Sequence, residues 1–343
     1  MSSRDFIFIM GLLLGDSLIG KCQDLPCTRF EFQQKHMGTM FQMVLYSPTK
    51  ELAETASQLA FKKIEQLNSI MSDYDPNSEL MRFCKQYRNG NKEFTSLSQE
   101  LFEVLEIGQS IAKESEGKFD MTIRPVVVLW RMSRRTQKFP EGHELQKALS
   151  LVNYQDLELQ KSNHSGRLKK QGMELDLGGI AKGYAADQAL DVLNKRGITS
   201  ALVAAGGDIA VRNPPPGQLG WRIEIAKLPG EKNKSILLLK NQAVSTSGDS
   251  ENYVYIDGVR YSHLIDPTTG IGLTGQRSVT VIAPKGIFAD AYTKVGSILP
   301  HKQALEWYSK RKGVEVRLLY RPDQKSDFQI TTSSGFNRFL VPK

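Results

Sequence analysis

Apolar positions in this chain recur in two rhythms, one of three and four residues and one of two, and the switches between them mark out its elements. From 51 to 71, Leu52, Ala56, Leu59, Ala60, Ile64 and Leu67 repeat at helical spacing with the charges opposite, which predicts an amphipathic helix. Residues 72–79 read as a turn, with Ser78 as an N-cap. A second helix is predicted over 97–115, opened by Ser98, faced by Leu101, Val104, Leu105 and Ile111, and stopped at Gly117. Residues 118–130 then begin extended and pass a proline, and 141–151 suit a short surface helix. Further helices are predicted over 184–195, ended by Gly197, and over 289–299.

The alternating stretches predict strands. Residues 29–46 form a pair broken at Met37, Gly38 and Thr39, and 200–211 form a strand holding a glycine pair. Strands follow over 221–226, 235–239 and 243–245, then a hairpin over 253–256 and 261–265 that turns at Asp257 and Gly258. Residues 278–283 add another, and the tail over 314–338 returns to strands. Helices mixed with many short strands, without internal repeat or low-complexity tract, predict an α+β fold.

Composition narrows this only a little. With 343 residues, 40% hydrophobic and 24% charged, the chain is ordinary globular material for one large domain or two smaller ones. The proline-rich loop at 213–217 is too short to divide it. A net charge of +8 predicts an acidic partner. The basic residues are scattered and not interleaved with aromatics, which argues against nucleic acid and leaves a phosphate-bearing small molecule or an anionic membrane surface.

The N-terminus stands apart. Arg4 precedes an apolar run over 6–14 that is too short to span a bilayer but suits a signal-peptide core. Residues 1–22 are therefore expected to be a signal peptide directing export, with 23–343 the functional domain; a buried first strand is the alternative. LIGKC, ending at Cys22, resembles a lipoprotein processing box apart from Lys21, so Cys22 is a candidate lipid anchor. In an exported chain Cys22 and Cys27 are placed to pair, leaving Cys84, and no cysteine spacing resembles a zinc site.

Candidate chemistry concentrates in ELDLGGIAKGYAAD at 174–187. Met173, Leu175 and Leu177 alternate like a strand, three glycines follow, and a helix begins around Lys182. Such a turn suits phosphate, and a tight structural turn is the plainer alternative. Asp290 and Thr293 lie one turn apart near a predicted helix start, an oxygen pair suited to Mg2+, with helix capping the plainer reading of the pair alone. His263 and Asp266 sit beside a proline turn: the aspartate reads plainly as a turn stabiliser, and the histidine equally as a hydrogen-bonded, partly buried residue or as a proton-transfer group.

Together these pieces resemble the ApbE family of FAD:protein FMN transferases. The matching motifs occur in that family's order: MGT at Met37, MSDYDPNSEL from Met71, GKFDMTIRP from Gly117, LDLGGIAKGYAAD from Leu175, AAGGDIAV from Ala204, STSGDSENY from Ser245, YSHLIDPTTG from Tyr261 and ADAYTKVGSILP from Ala289. The resemblance implies one T-fold-like α+β domain holding FAD in a cleft. It implies that Met37, Tyr74, Lys118, Phe119 and Asp120 line the flavin and adenine sites. Asp176 and Lys182 would flank the nucleotide, and His263 and Leu264 would lie against the flavin nucleotide. Mg2+ would be held by the Gly179 carbonyl, Asp290 and Thr293.

Two positions depart from the family pattern: Lys294 stands where threonine is usual, and Thr293 where some members carry an acid. Both make the metal site less anionic, so weaker or fewer Mg2+ ions are expected. The implied reaction moves FMN from FAD to a threonine or serine hydroxyl of a target protein and releases AMP, with His263 as base or orienter. Implied acceptors are exported or membrane-bound flavoprotein subunits such as those of Nqr- or Rnf-type complexes. An Mg2+-dependent FAD pyrophosphatase and a non-catalytic flavin binder are the rival readings.

Overall fold

The structure is a computed structural model that describes residues 21–22, 25–225, 235–248, 252–323 and 325–341. The expected signal segment at 1–20 and the Cys22 side chain, on which the lipid anchor and the pairing with Cys27 rest, lie outside the described residues.

The helical periodicities become helices whose starts are set by side-chain caps. Thr49 caps α1 (Lys50–Met71), Ser78 caps α2 (Glu79–Arg88) and Ser98 caps α3 (Gln99–Glu114), each accepting a first-turn N–H at 3.1–3.2 Å. Next comes α4 (Arg124–Thr136), inside and beyond the stretch over 118–130 that was expected only to begin extended and pass a proline. Pro125 sits in its first turn, and Val126, Trp130 and Ser133 form one buried stripe, so tertiary burial overrides the strand preference of three successive valines. The remaining helices are α5 (Gly142–Leu149), α6 (Ala181–Lys195), α7 (Gly286–Ile298) and α8 (His301–Ser309).

One antiparallel sheet of eight strands organises the molecule. Its spatial order is Gln329–Thr332, Glu315–Arg321, Gln276–Ala283, Gln242–Gly248, Asp208–Val211, Ala201–Ala205, Thr39–Ser47 and Thr28–His36. The expected single strand over 200–211 is two, because Gly206 at φ +64° reverses the chain and pairs Ala205 with Asp208. Alternation assigns the two faces. Met43, Leu45, Ala201 and Val203 pack under α1, α3, α6 and α7, while Val44, Leu202 and Val244 pack against the hairpin of Trp221–Ile225 and Ser235–Leu239. Each fully buried Leu or Phe on these faces contributes roughly 1.5–3 kcal/mol.

A smaller cluster lies to one side. There α4 and α5 cover a three-stranded sheet of Tyr253–Ile256, Val259–Ile265 and Gly272–Thr274 through Val126, Trp130, Leu145, Val254, Ile256 and Ile265. Its hairpin turns as expected at Asp257 and Gly258, both at positive φ. Among the described residues no helix is long and apolar enough to cross a membrane.

Candidate active site

The glycine-rich turn is built differently from the sequence expectation. Residues 173–177, expected as a strand, pair with no strand. The Asp176 carboxylate accepts the Gly178 N–H at 2.7 Å, and the N–H groups of Ile180 and Ala181 return to the Leu177 carbonyl at 3.0 and 2.9 Å. Gly183 N–H, in the first turn of α6, donates to Asp290 Oδ2 at 3.1 Å. A protein carboxylate thus takes a helix N-terminal donor that the sequence reading offered to phosphate.

Asp290 is not a cap. Since α7 begins at Gly286, Asp290 lies in its second turn, and its side chain is fully buried. Lys182 reaches across to Asp208 Oδ2 at 2.8 Å and Asp290 Oδ2 at 3.6 Å. Lys294, one turn beyond Asp290, bonds Asp290 Oδ1 and also the Asp290 main-chain oxygen at 3.0 Å. Asp208 accepts a further hydrogen bond from Ser245 Oγ. Two ammonium groups and two carboxylates therefore meet with a formal sum of zero. Burial pushes the Asp290 carboxyl up, but Lys182 and Lys294 outweigh it and hold the group below the usual carboxylate range. Burial likewise opposes the charge on Lys182, and Asp208 and Asp290 more than offset it, raising its pKa.

Gly183 and Gly286 allow this meeting. A Cβ on Gly183 would stand 2.1 Å from the Gly286 oxygen, so only glycine lets α6 and α7 approach this closely.

A second cluster joins Tyr74 to Asp176. The Tyr74 ring is 77% exposed and lies under the Arg131 guanidinium, 4.2 Å from centroid to charge. Arg131 also pairs with Asp73 at 2.6 Å and Asp176 at 3.4 Å, and Arg124 lies on the other side of Asp73. Burial, then the neighbouring Asp73, push the Asp176 carboxyl up despite both arginines. Sequence reasoning missed Arg131 and Arg124 because their segment was expected to start extended. Their spacing of seven was the available signal, since two turns of helix put both guanidinium groups on one face.

The remaining predicted residues fall into two groups. Lys118 Nζ donates to Thr268 Oγ1 at 3.0 Å, spanning from the end of α3 to the loop after His263. Phe119 is buried, and a Cβ on Gly179 would stand 3.5 Å from its ring. Asp120 turns inward: its carboxylate takes Thr122 N–H at 2.8 Å, Thr122 Oγ1 at 2.7 Å and Tyr154 N–H at 2.9 Å, anchoring the loop. Met37 stands at a hairpin tip at φ +47°, packed on the helix-side core. His263 and Leu264 lie half-buried on Val259–Ile265. His263 Nδ1 is 3.1 Å from the Asn252 carbonyl, and with the proton placed there Nε2 carries the lone pair.

The sequence model of the ApbE family matches residues 37–318, a span that includes every residue of these clusters. The chain belongs to the ApbE family. A protein named FAD:protein FMN transferase from Buchnera aphidicola is 28% identical over 316 residues, covering 90% of this chain and 90% of its own. One of the same name from Vibrio cholerae is 27% identical over 344 residues, covering 98% of this chain and 99% of its own. Among solved structures, the flavin transferase ApbE from Vibrio cholerae has a TM-score of 0.82 at 26% identity, covering 92% of this chain and 100% of that one. The ApbE protein of Thermotoga maritima gives 0.80 at 27% identity, over 92% of this chain and 100% of its own.

Within this ApbE chain the donor set implied for Mg2+ does not fit the ion as it stands. Both Asp290 oxygens answer cationic or N–H donors, and the Thr293 hydroxyl is fully buried and donates to the Asp290 main-chain oxygen at 2.7 Å. Among the described residues no group of three or more His, Cys, Asp or Glu side chains is arranged to hold a metal.

Proposed function

We propose that this chain transfers FMN from FAD to a threonine or serine hydroxyl of an acceptor protein, releasing AMP. The observation that carries the reading is the pair of ammonium groups, Lys182 and Lys294, gathered beside the glycine-rich turn of an ApbE fold. The names of the relatives support it.

In this reading the acceptor oxygen attacks the phosphorus of the FMN half, the bond to the AMP phosphate breaks, and AMP leaves with the electron pair. The hydroxyl proton passes to His263 Nε2. Charge on the phosphate oxygens grows as the bond breaks, and fixed ammonium groups stabilise it without reorganising. Tyr74 under Arg131 offers a ring face to an aromatic part of the nucleotide. Asp290 is already neutralised by Lys182 and Lys294, so in this reading the ammonium groups supply the positive charge that the resemblance assigns to Mg2+. The acceptor we propose is an exported or membrane-bound flavoprotein subunit of the Nqr or Rnf kind, with the chain itself exported through its N-terminal segment and working on the periplasmic side.

The test is incubation with FAD and an acceptor domain, read by intact mass. The expected result is an acceptor heavier by one FMN moiety. His263→Ala should keep FAD affinity and slow transfer by about 100- to 10,000-fold. Free FMN and AMP with an unmodified acceptor would replace the transferase by a hydrolase, and equal rates for the variant would remove His263 as base.

A further inference from the structure

We propose that Lys294 is a built-in cation standing in for a divalent metal at Asp290, so that this site handles a pyrophosphate without binding Mg2+. The proposal rests on the transferase reading for its substrate, and on geometry alone for the absence of a metal requirement.

Lys294 Nζ bonds Asp290 Oδ1 and the Asp290 main-chain oxygen together, the second at 3.0 Å. The other carboxylate oxygen takes the Gly183 N–H and faces Lys182. A Mg2+ ion bound to either oxygen must sit about 2.1 Å away in a near-octahedral shell. It would then lie beside an ammonium group in a site where the carboxylate is wholly buried, and like charges at such range repel strongly.

The lysine stem fills space as well as charge. A Cβ on Gly179 would stand 3.3 Å from Lys294 Cε, so the side chain runs along the glycine turn whose carbonyl the resemblance offers as a metal ligand. The ammonium has three N–H donors, two of which the Asp290 oxygens take, and the side chain is 19% exposed. Two of its donors are thus fixed on Asp290, and the third is left for a phosphate oxygen.

A lysine serving only as a structural ion pair would leave the site's metal requirement unchanged, and this separates the two roles.

The experiment compares the wild-type chain with Lys294→Thr, using Mn2+ as the probe and electron paramagnetic resonance to count bound ion without nucleotide. Wild type should show no bound Mn2+ at millimolar concentration, and Lys294→Thr should bind one Mn2+ per chain under the same conditions. In parallel, FAD turnover by wild type should be unchanged by EDTA, whereas Lys294→Thr should fall silent in EDTA and recover with Mg2+. Stoichiometric Mn2+ binding by wild type, or wild-type turnover abolished by EDTA and restored by Mg2+, would overturn the proposal. Should Lys294→Thr fail to fold, the wild-type measurements decide alone. If neither form consumes FAD under any condition, the transferase reading fails, and the Mn2+ titration still decides the role of Lys294.

Discussion

Asp187 shows how one side chain can organise a neighbouring element. Its two oxygens accept the N–H groups of Gly286 and Ile287, at 2.8 and 3.0 Å, and so cap α7 from a residue of α6. Burial pushes its carboxyl up to about 6. The folded chain therefore holds this proton more tightly than the unfolded chain does. As pH rises from about 4 to 6 the unfolded state releases its proton first, and the group lowers folding stability by about 2–3 kcal/mol. Urea unfolding at both ends of that window should show the loss, and Asp187→Asn should flatten it. An unchanged pH slope in the variant would assign the effect to another group. Asp187 closes the quoted glycine-rich motif, yet nothing local in the sequence marks it as the cap of a helix that starts at Gly286.

Among elements, the crossing of α6 and α7 matters most, because it brings Lys182 and Asp290 together. Gly183→Ala drives a methyl group toward the Gly286 oxygen, which is main chain and cannot rotate away. Forcing the helices apart should cost about 1–3 kcal/mol and lower the thermal midpoint. FAD affinity should fall with it, since the wider crossing draws the residue 183 main-chain N–H away from Asp290 Oδ2. An alanine variant as stable as wild type would mean that the crossing tolerates a wider spacing. The long helices α1, α3 and α6 were legible because an apolar stripe facing a core needs a fixed period. The short α2 shows its start in the sequence through Ser78 as N-cap, and its body in Leu80, Met81, Phe83, Cys84 and Tyr87, all buried at helical spacing. In α4 three valines mimic a strand, and the helix is decided by burial of Val126 and Trp130 against the small sheet.

At the scale of the whole molecule, the candidate residues are carried by two separate bodies of core. The large sheet and its helices carry Lys182, Asp208 and Asp290, the unpaired segment before α6 carries Asp176, and the small three-stranded sheet carries His263 and Leu264. Lys118 and Thr268 join the two sides through an exposed hydrogen bond. Free FAD at about 100 times its Kd should stabilise the fold by about 2.7 kcal/mol. Lys118→Ala should leave the thermal midpoint of the unliganded chain unchanged and shrink the shift caused by FAD. A full-sized FAD shift in that variant would place the nucleotide away from this bridge.

The sequence by itself determined what local rules govern: the long amphipathic helices, the turn at Asp257 and Gly258, and the ordered motifs that carry the family. It also placed Lys294 one turn beyond Asp290, because positions four apart on a helix must face each other. Only the tertiary structure decided that Asp208 completes the lysine–carboxylate cluster, that Arg131 joins Tyr74 to Asp176, and that Asp120 is an anchor turned inward. Those contacts link residues distant along the chain. They depend on strand order and helix crossings, which periodicity along a single element does not encode.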